Sequence, residues 1–164
     1  MKGSTHALIG VSLAFGLMAV YPVQPEHRLT MIGAGLLGAL LPDLDHSQSL
    51  LGRRFRIVSM PLGWVVRHRG ATHTLLAALL VLAVGWYFLP PLIAIGLAMG
   101  YASHLASDMM TFTGLNVFWP IWGAKIYLLP RGFRVSTGGR VEALLAFIVA
   151  LAVVWQVAVY AGML

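Results

Sequence analysis

From Ala143 to Tyr160 the chain carries no charged residue, and four further stretches are nearly as apolar: His6 to Val20, Leu29 to Leu41, Thr74 to Leu89 and Leu92 to Leu105. Segments of this kind need a medium other than water on several sides. A water-soluble domain of about 150 residues still leaves roughly 30% of its unfolded surface exposed. With 59% hydrophobic residues, only 10% charged ones and a mean hydropathy of +0.85, this sequence does not have the polar side chains to cover such a surface. A soluble globular fold and a disordered chain are both excluded. The sequence predicts one all-α domain over residues 1–164, a multi-pass membrane helical bundle of about five transmembrane helices. Most of the stretches fall short of the ~20 residues of a full span, so polar flanks or a thinned bilayer complete them.

Proline and basic residues arrange the segments. Pro22 and Pro25 break the chain after the first stretch, and Pro90-Pro91 separates the third from the fourth. Longer connections run over 47–67 and 109–140. The first stretch has Lys2 as a basic start, but His6 interrupts it and no small-residue cleavage site follows, so it is read as a retained helix. Five spans put Lys2, Arg53, Arg54, Arg56, Arg67, Arg69, Lys125, Arg131, Arg134 and Arg140 on one side and leave Arg28 opposite. The positive-inside rule then sets the N-terminus in the cytoplasm and the C-terminus outside. The same rule accounts for the net charge of +6 without a nucleic-acid partner. Phe112, Phe118, Trp119, Trp122 and Tyr127 in the last connection suit an aromatic belt at headgroup level, with a substrate lid as the alternative. Residues 125–135 suit either a short hairpin or a plain loop.

The polar residues that remain are selective. There are six histidines and five acids, and no cysteine, so this chain has neither a disulfide nor a thiolate metal site. In the five-span topology His6, Asp43, Asp45, His46, His68, His73, His104, Asp108 and Glu142 all reach the cytoplasmic face, while Glu26 and His27 share the outer loop. Ionisable groups near a bilayer are retained mainly where they meet a partner or a cavity. A divalent cation is such a partner, because it neutralises carboxylates and accepts imidazole lone pairs. The spacing agrees. His104 and Asp108 are an i, i+4 pair on one helix face. Pro42-Asp43-Leu44-Asp45-His46 packs three candidate ligands behind a proline. His68 and His73 flank Gly70, with Thr72 as the expected N-cap of the following helix. Thr5-His6-Ala7-Leu8 is echoed by Thr72-His73-Thr74-Leu75, which suggests two helical hairpins related by pseudo-symmetry.

At Thr5-His6, Pro42 to His46, His68 to Thr74, Gly100 to Asp108 and Gly138 to Glu142 the chain resembles the YdjM-type family of inner-membrane proteins, described as LexA-regulated, metal-dependent hydrolases. The resemblance covers nearly the whole chain and implies a membrane hydrolase without fixing its substrate. The His104-x-x-x-Asp108 element, with its separate early His, is more remotely similar to the zinc phospholipase C and P1 nuclease group. This chain departs from that group in being membrane-embedded and in lacking the N-terminal Trp ligand.

Eight candidate ligands exceed the four of one tetrahedral zinc. They are His6, Asp43, Asp45, His46, His68, His73, His104 and Asp108. One to three divalent ions are expected, zinc first and manganese as the alternative, with a two-metal site using the donors economically. Asp43 or Asp45 would bridge metals or act as general base, Glu142 would support the site or act as a base, and Arg69 would steady a phosphate or simply mark the cytoplasmic side. Phosphoester hydrolysis on a membrane lipid or lipid-linked substrate is the expected activity. The competing expectations are a metal-binding or transport protein, and a membrane scaffold in which the cluster is only a folding staple. No His-Glu-x-x-His metallopeptidase motif occurs.

Overall fold

A computed structural model describes residues 1–65 and 70–162. Among these residues every regular element is helical; two isolated bridges, Thr111 with Val135 and Leu115 with Ile126, are the extended pairings. Helix α1 spans Gly3–Val20 and α2 Pro25–Leu40; a 3-10 turn, Leu41–Asp45, follows directly. Two short helices, α3 (Leu50–Arg54) and α4 (Arg56–Val65), fill the connection for which the sequence had suggested no element. After the 3-10 turn Ala71–His73 come α5 (Leu75–Phe88), α6 (Pro91–Met109) and α7 (Arg140–Tyr160). Pro25 and Pro91 each occupy the first position of their helix, where a missing N–H costs nothing.

The connections between α1 and α2 and between α5 and α6 are short, so each pair is an antiparallel hairpin. Helix α2 packs between α1 and α6, α5 lies on α6, and α7 lies on α1. Backbones meet almost directly at the centre. A Cβ on Gly10 would stand 2.4 Å from the Gly35 carbonyl oxygen, and one on Gly100 would stand 2.3 Å from that same oxygen. Only glycine allows α1, α2 and α6 to approach so closely, the usual means of packing helices where no hydrophobic drive operates between them. Around this seam Phe15, Met31, Ala34 and Ile93 form one apolar cluster. Tyr101, Leu105, Leu115 and Val117 form another, where the connection after α6 folds over the bundle end. Leu115 and Ile126 exchange both backbone hydrogen bonds, at 3.2 and 2.8 Å, and Leu75 N donates to Val117 O at 2.8 Å.

Among the described residues two helices are long and apolar enough to cross a membrane by length and composition, α1 and α7; α5 is apolar but shorter. At about 1.5 Å per residue α7 reaches ~31 Å, the thickness of a bilayer's hydrocarbon core, and α5 only ~21 Å. Residues in the apolar window of α7 are at most partly buried, and the helix's only fully buried residue is Glu142 in the first turn. One expected boundary shifts: helix α1 starts three residues before His6, so His6 lies inside a helix rather than at its opening. Helix α6 runs to Met109 and carries His104 and Asp108 on one continuous helix, as their i, i+4 spacing predicts.

Candidate metal centre

Two helices and two turns bring the polar residues together at one end of the bundle. His6 comes from the start of α1, Asp43 from the turn ending α2, His73 from the turn opening α5, and His104 with Asp108 from the end of α6. All three histidines and Asp108 are buried, and Asp43 is partly so. The His6 and His104 rings stack with centroids 3.7 Å apart and planes at 15°, while His73 meets His104 edge-on at 5.1 Å. His6 and His73 therefore flank one central imidazole, and the two echoed Thr-His motifs come together at one site. The match is inexact, since His6 sits within its helix and His73 ends a 3-10 turn.

The hydrogen bonds on the far side of each ring decide its tautomer. His104 Nδ1 lies 2.7 Å from the Ala39 carbonyl oxygen, which only accepts, so Nδ1 carries the proton. Ser107 Oγ lies 3.0 Å from the His104 carbonyl and 2.9 Å from His6 Nδ1; with its single hydrogen on the carbonyl, it accepts from that ring. Thr72 Oγ1 donates to Asp45 Oδ2 at 2.9 Å, which leaves it to accept from His73 Nδ1 at 3.0 Å. Each imidazole is thus protonated on Nδ1, and in the neutral form each presents the Nε2 lone pair inward. This is the arrangement by which outer hydrogen bonds orient metal-ligating histidines.

Those Nε2 atoms face carboxylates at 3.3 Å or more, longer than the usual N–H···O hydrogen bond. His6 Nε2 is 3.3 Å from Asp108 Oδ1, His104 Nε2 is 3.7 Å from Asp43 Oδ1 and 3.9 Å from Asp108 Oδ2, and His73 Nε2 is 3.6 Å from Asp43 Oδ1. Among the described residues, the Nε2 atoms of His6 and His104 are buried without a hydrogen-bond partner, a costly condition for a buried polar group. Donors at ~2.0–2.1 Å around one tetrahedral ion stand about 3.4 Å from each other. The observed separations fit donors to a shared cation better than donors to one another. Two three-donor groups result, His6–Asp43–His104 and His73–His104–Asp108, and each could hold a metal ion. Burial works to raise the Asp43 carboxyl, but the facing imidazoles of His73, His104 and His6 outweigh it and lower it to about 2, so it is an anion at neutral pH. Its contribution to stability is complete above the ordinary 3.8 and is lost as pH falls through about 2. The Met1 amino nitrogen also contacts Asp108 Oδ1.

The other candidates fall around this centre. Asp45 is buried and takes the Thr72 hydroxyl, so it reaches the cluster through Thr72 and His73. His46 ends the 41–45 turn, half-buried and outside both three-donor groups. His68 and Arg69 lie outside the described residues. Glu142 stands apart from the cluster: its carboxylate accepts from Lys2 N, Gly138 N and, at 2.9 Å, Thr5 Oγ1. It fastens the starts of α1 and α7 to the loop before α7, one residue from His6. Thr72 does not cap α5; Thr74 does, accepting from Ala77 N at 3.1 Å, which frees Thr72 for Asp45 and His73. Tyr101 adds support by donating its hydroxyl to the Thr72 carbonyl. Ser107 and Tyr101 were not singled out from the sequence, although both lie within one turn of His104 on α6.

A family model described as YdjM inner membrane protein matches residues 1–163. The chain belongs to the YdjM family. Two curated relatives named inner membrane protein YdjM, from Escherichia coli (strain K12) and Shigella flexneri, are each 37% identical over 107 residues, covering 60% of this chain and 54% of the relative. The chain thus spans about half the length of these YdjM relatives. It is also 36% identical over 121 residues to the uncharacterized protein YvsG of Bacillus subtilis (strain 168), covering 73% of this chain and 74% of that one. No solved structure matches. This YdjM protein is therefore an all-helical membrane protein of the bacterial inner membrane whose His/Asp cluster could hold a metal ion.

Proposed function

We propose that this YdjM protein is a metal-dependent hydrolase that cleaves a phosphoester bond of a lipid or lipid-linked substrate at the cytoplasmic surface of the inner membrane. In this reading α1, α2, α5, α6 and α7 are five spans, the N-terminus is cytoplasmic, and the cluster opens on that side. The observation that carries the proposal is the set of three inward-facing Nε2 atoms ringed by Asp43 and Asp108. Zinc is the preferred ion for imidazole and carboxylate donors, with manganese second. Bound there, a divalent ion supplies an activated water near neutral pH and neutralises phosphoryl oxygens.

The chain's own residues divide the remaining work. Asp43 and Asp108 balance the cation's charge. Ser107, Thr72 and the Ala39 carbonyl keep the rings oriented. Asp45, hydrogen-bonded to Thr72, is the carboxylate nearest the cluster that belongs to neither donor group, which suits a general base. Glu142, committed to three donors, suits a supporting role better than a base, and Arg69 is proposed to steady the phosphate. A lipid substrate is favoured by an apolar cleft of about 420 Å³ lined by Leu41, Val84 and Leu97. A second cleft of about 360 Å³ shares Leu80 and Val81 with it and ends at Thr72 and Tyr101, beside the cluster.

The test is turnover by purified, zinc- or manganese-loaded protein across a panel of lipid phosphoesters, beside Asp45→Asn. Release of phosphate or of a phosphorylated headgroup, lost in Asp45→Asn with metal retained, is expected. Metal-loaded protein with no turnover on any of the panel would overturn hydrolysis and leave a metal-binding membrane protein.

A further inference from the structure

The connection between the two hairpins carries a second surface. Helices α3 and α4 rest on the turn that presents Asp43 and Asp45. Ser49 Oγ donates to the Asp43 carbonyl at 2.8 Å and accepts from Gly52 N at 2.9 Å. The fully buried Ser59 donates to the Gly52 carbonyl at 2.9 Å. Two glycines bring the helices onto the turn's backbone: a Cβ on Gly52 would stand 2.0 Å from the His46 carbonyl oxygen, and one on Gly63 would stand 2.7 Å from that of Asp45. The position of α3–α4 and that of the Asp43 turn are therefore linked.

The opposite face is bare. Ile57, Met60 and Trp64 recur at i, i+3 and i+7, one side of a helix, and Ile57 is 92% and Trp64 81% exposed. Arg53, Arg54 and Arg56 are exposed beside them, and no acidic residue occurs in the sequence between Asp45 and Asp108. Apolar side chains edged by guanidinium groups match a helix lying in a membrane interface. Charge selects the occupant. Forked guanidinium donors pair with phosphate oxygens, whereas a second copy of this face would bring three more arginines. We propose that α3–α4 is an interfacial anchor for anionic phospholipid headgroups, and that its seating holds the 41–45 turn where Asp43 completes the metal centre. The proposal rests on the membrane placement and metal centre given above, and not on hydrolysis.

The chain has no native cysteine, so a single nitroxide can be placed by Ile57→Cys in full-length protein reconstituted into nanodiscs of phosphatidylcholine with or without phosphatidylglycerol. With phosphatidylglycerol the label is expected to be accessible to oxygen and shielded from a water-soluble nickel chelate. In phosphatidylcholine alone, or on Arg53→Gln, Arg54→Gln and Arg56→Gln, it moves toward water, the seated-to-unseated ratio falling roughly fivefold per arginine. Zinc affinity of the unlabelled wild type falls roughly tenfold in neutral discs, the size of effect a supporting group exerts. A label seated equally in both lipids, exposed to water in both, or broadened by a neighbouring label overturns the headgroup anchor. Equal zinc affinity in the two lipids overturns its link to the metal centre. A label at Leu151→Cys on α7 separates the two levels: exposure to water there would overturn the membrane placement itself.

Discussion

Helices α6 and α7 are of similar length and both contain long apolar stretches, yet they use apolarity in opposite ways. Helix α6 is enclosed by α1, α2 and α5, meets α2 through Gly100, and ends in His104, Ser107 and Asp108. Helix α7 buries no residue of its apolar window fully and touches the body through α1, with Val153 and Tyr160 resting on the cluster around Phe15. Its hydrogen bonds to the body come from Glu142 at the start, Gln156 Nε2 to the Ser12 carbonyl at 3.2 Å, and Tyr160 Oη to the Phe15 carbonyl at 3.4 Å. In water α7 would be unstable; in a bilayer its side chains meet lipid, and only the few backbone and carboxylate bonds need a protein partner. The apolar surface of α6 positions chemistry, and that of α7 positions the protein.

The contrast can be broken by mutation. The largest stability effect is expected where α6 meets α2: Met31, fully buried against Gly96, should lose about 2–5 kcal/mol on Met31→Ala, read as a lowered unfolding midpoint in detergent. Next come the residues that set the imidazoles. Ser107→Ala and Thr72→Val are each expected to weaken zinc about 10–100-fold, about 1.4–2.7 kcal/mol, with circular dichroism unchanged. Loss of helicity without a change in zinc affinity would remove their orienting role. Glu142→Gln keeps the shape but not the charge, and should cost about 1 kcal/mol of stability while moving zinc affinity less than Ser107→Ala does. Leu151→Ala on α7 should be the mildest, within about 0.5 kcal/mol. A cost comparable to that of Met31→Ala would mean α7 packs against a partner rather than lipid.

The same comparison explains what could be read from the sequence. Helix α7 was legible because an uncharged run nearly as long as a bilayer's hydrocarbon core has few alternatives. The His104–Asp108 pair was legible because helical spacing is local, and so was Asp43, because acids are scarce here. Helices α3 and α4 were not. Helices this short are marginal alone, and these depend on Ser49, Ser59 and two glycines fitting the 41–45 turn. The orienting roles of Ser107 and Thr72 were hidden for another reason: a hydroxyl's role depends on where its one hydrogen points, and that requires both neighbours in place. The ties of Glu142 to Lys2 and Thr5 join opposite ends of the chain, beyond any local pattern.

The central claim is that His6, His73 and His104 turn their Nε2 atoms toward a divalent cation that Asp43 and Asp108 neutralise. Metal analysis of the purified full-length protein beside His104→Ala, whose ring belongs to both three-donor groups, tests it most directly. The account predicts at least one zinc or manganese per wild-type chain, and its loss in His104→Ala at unchanged helicity. A wild type that takes up no metal after loading, or a His104→Ala variant that keeps the full complement, would contradict it.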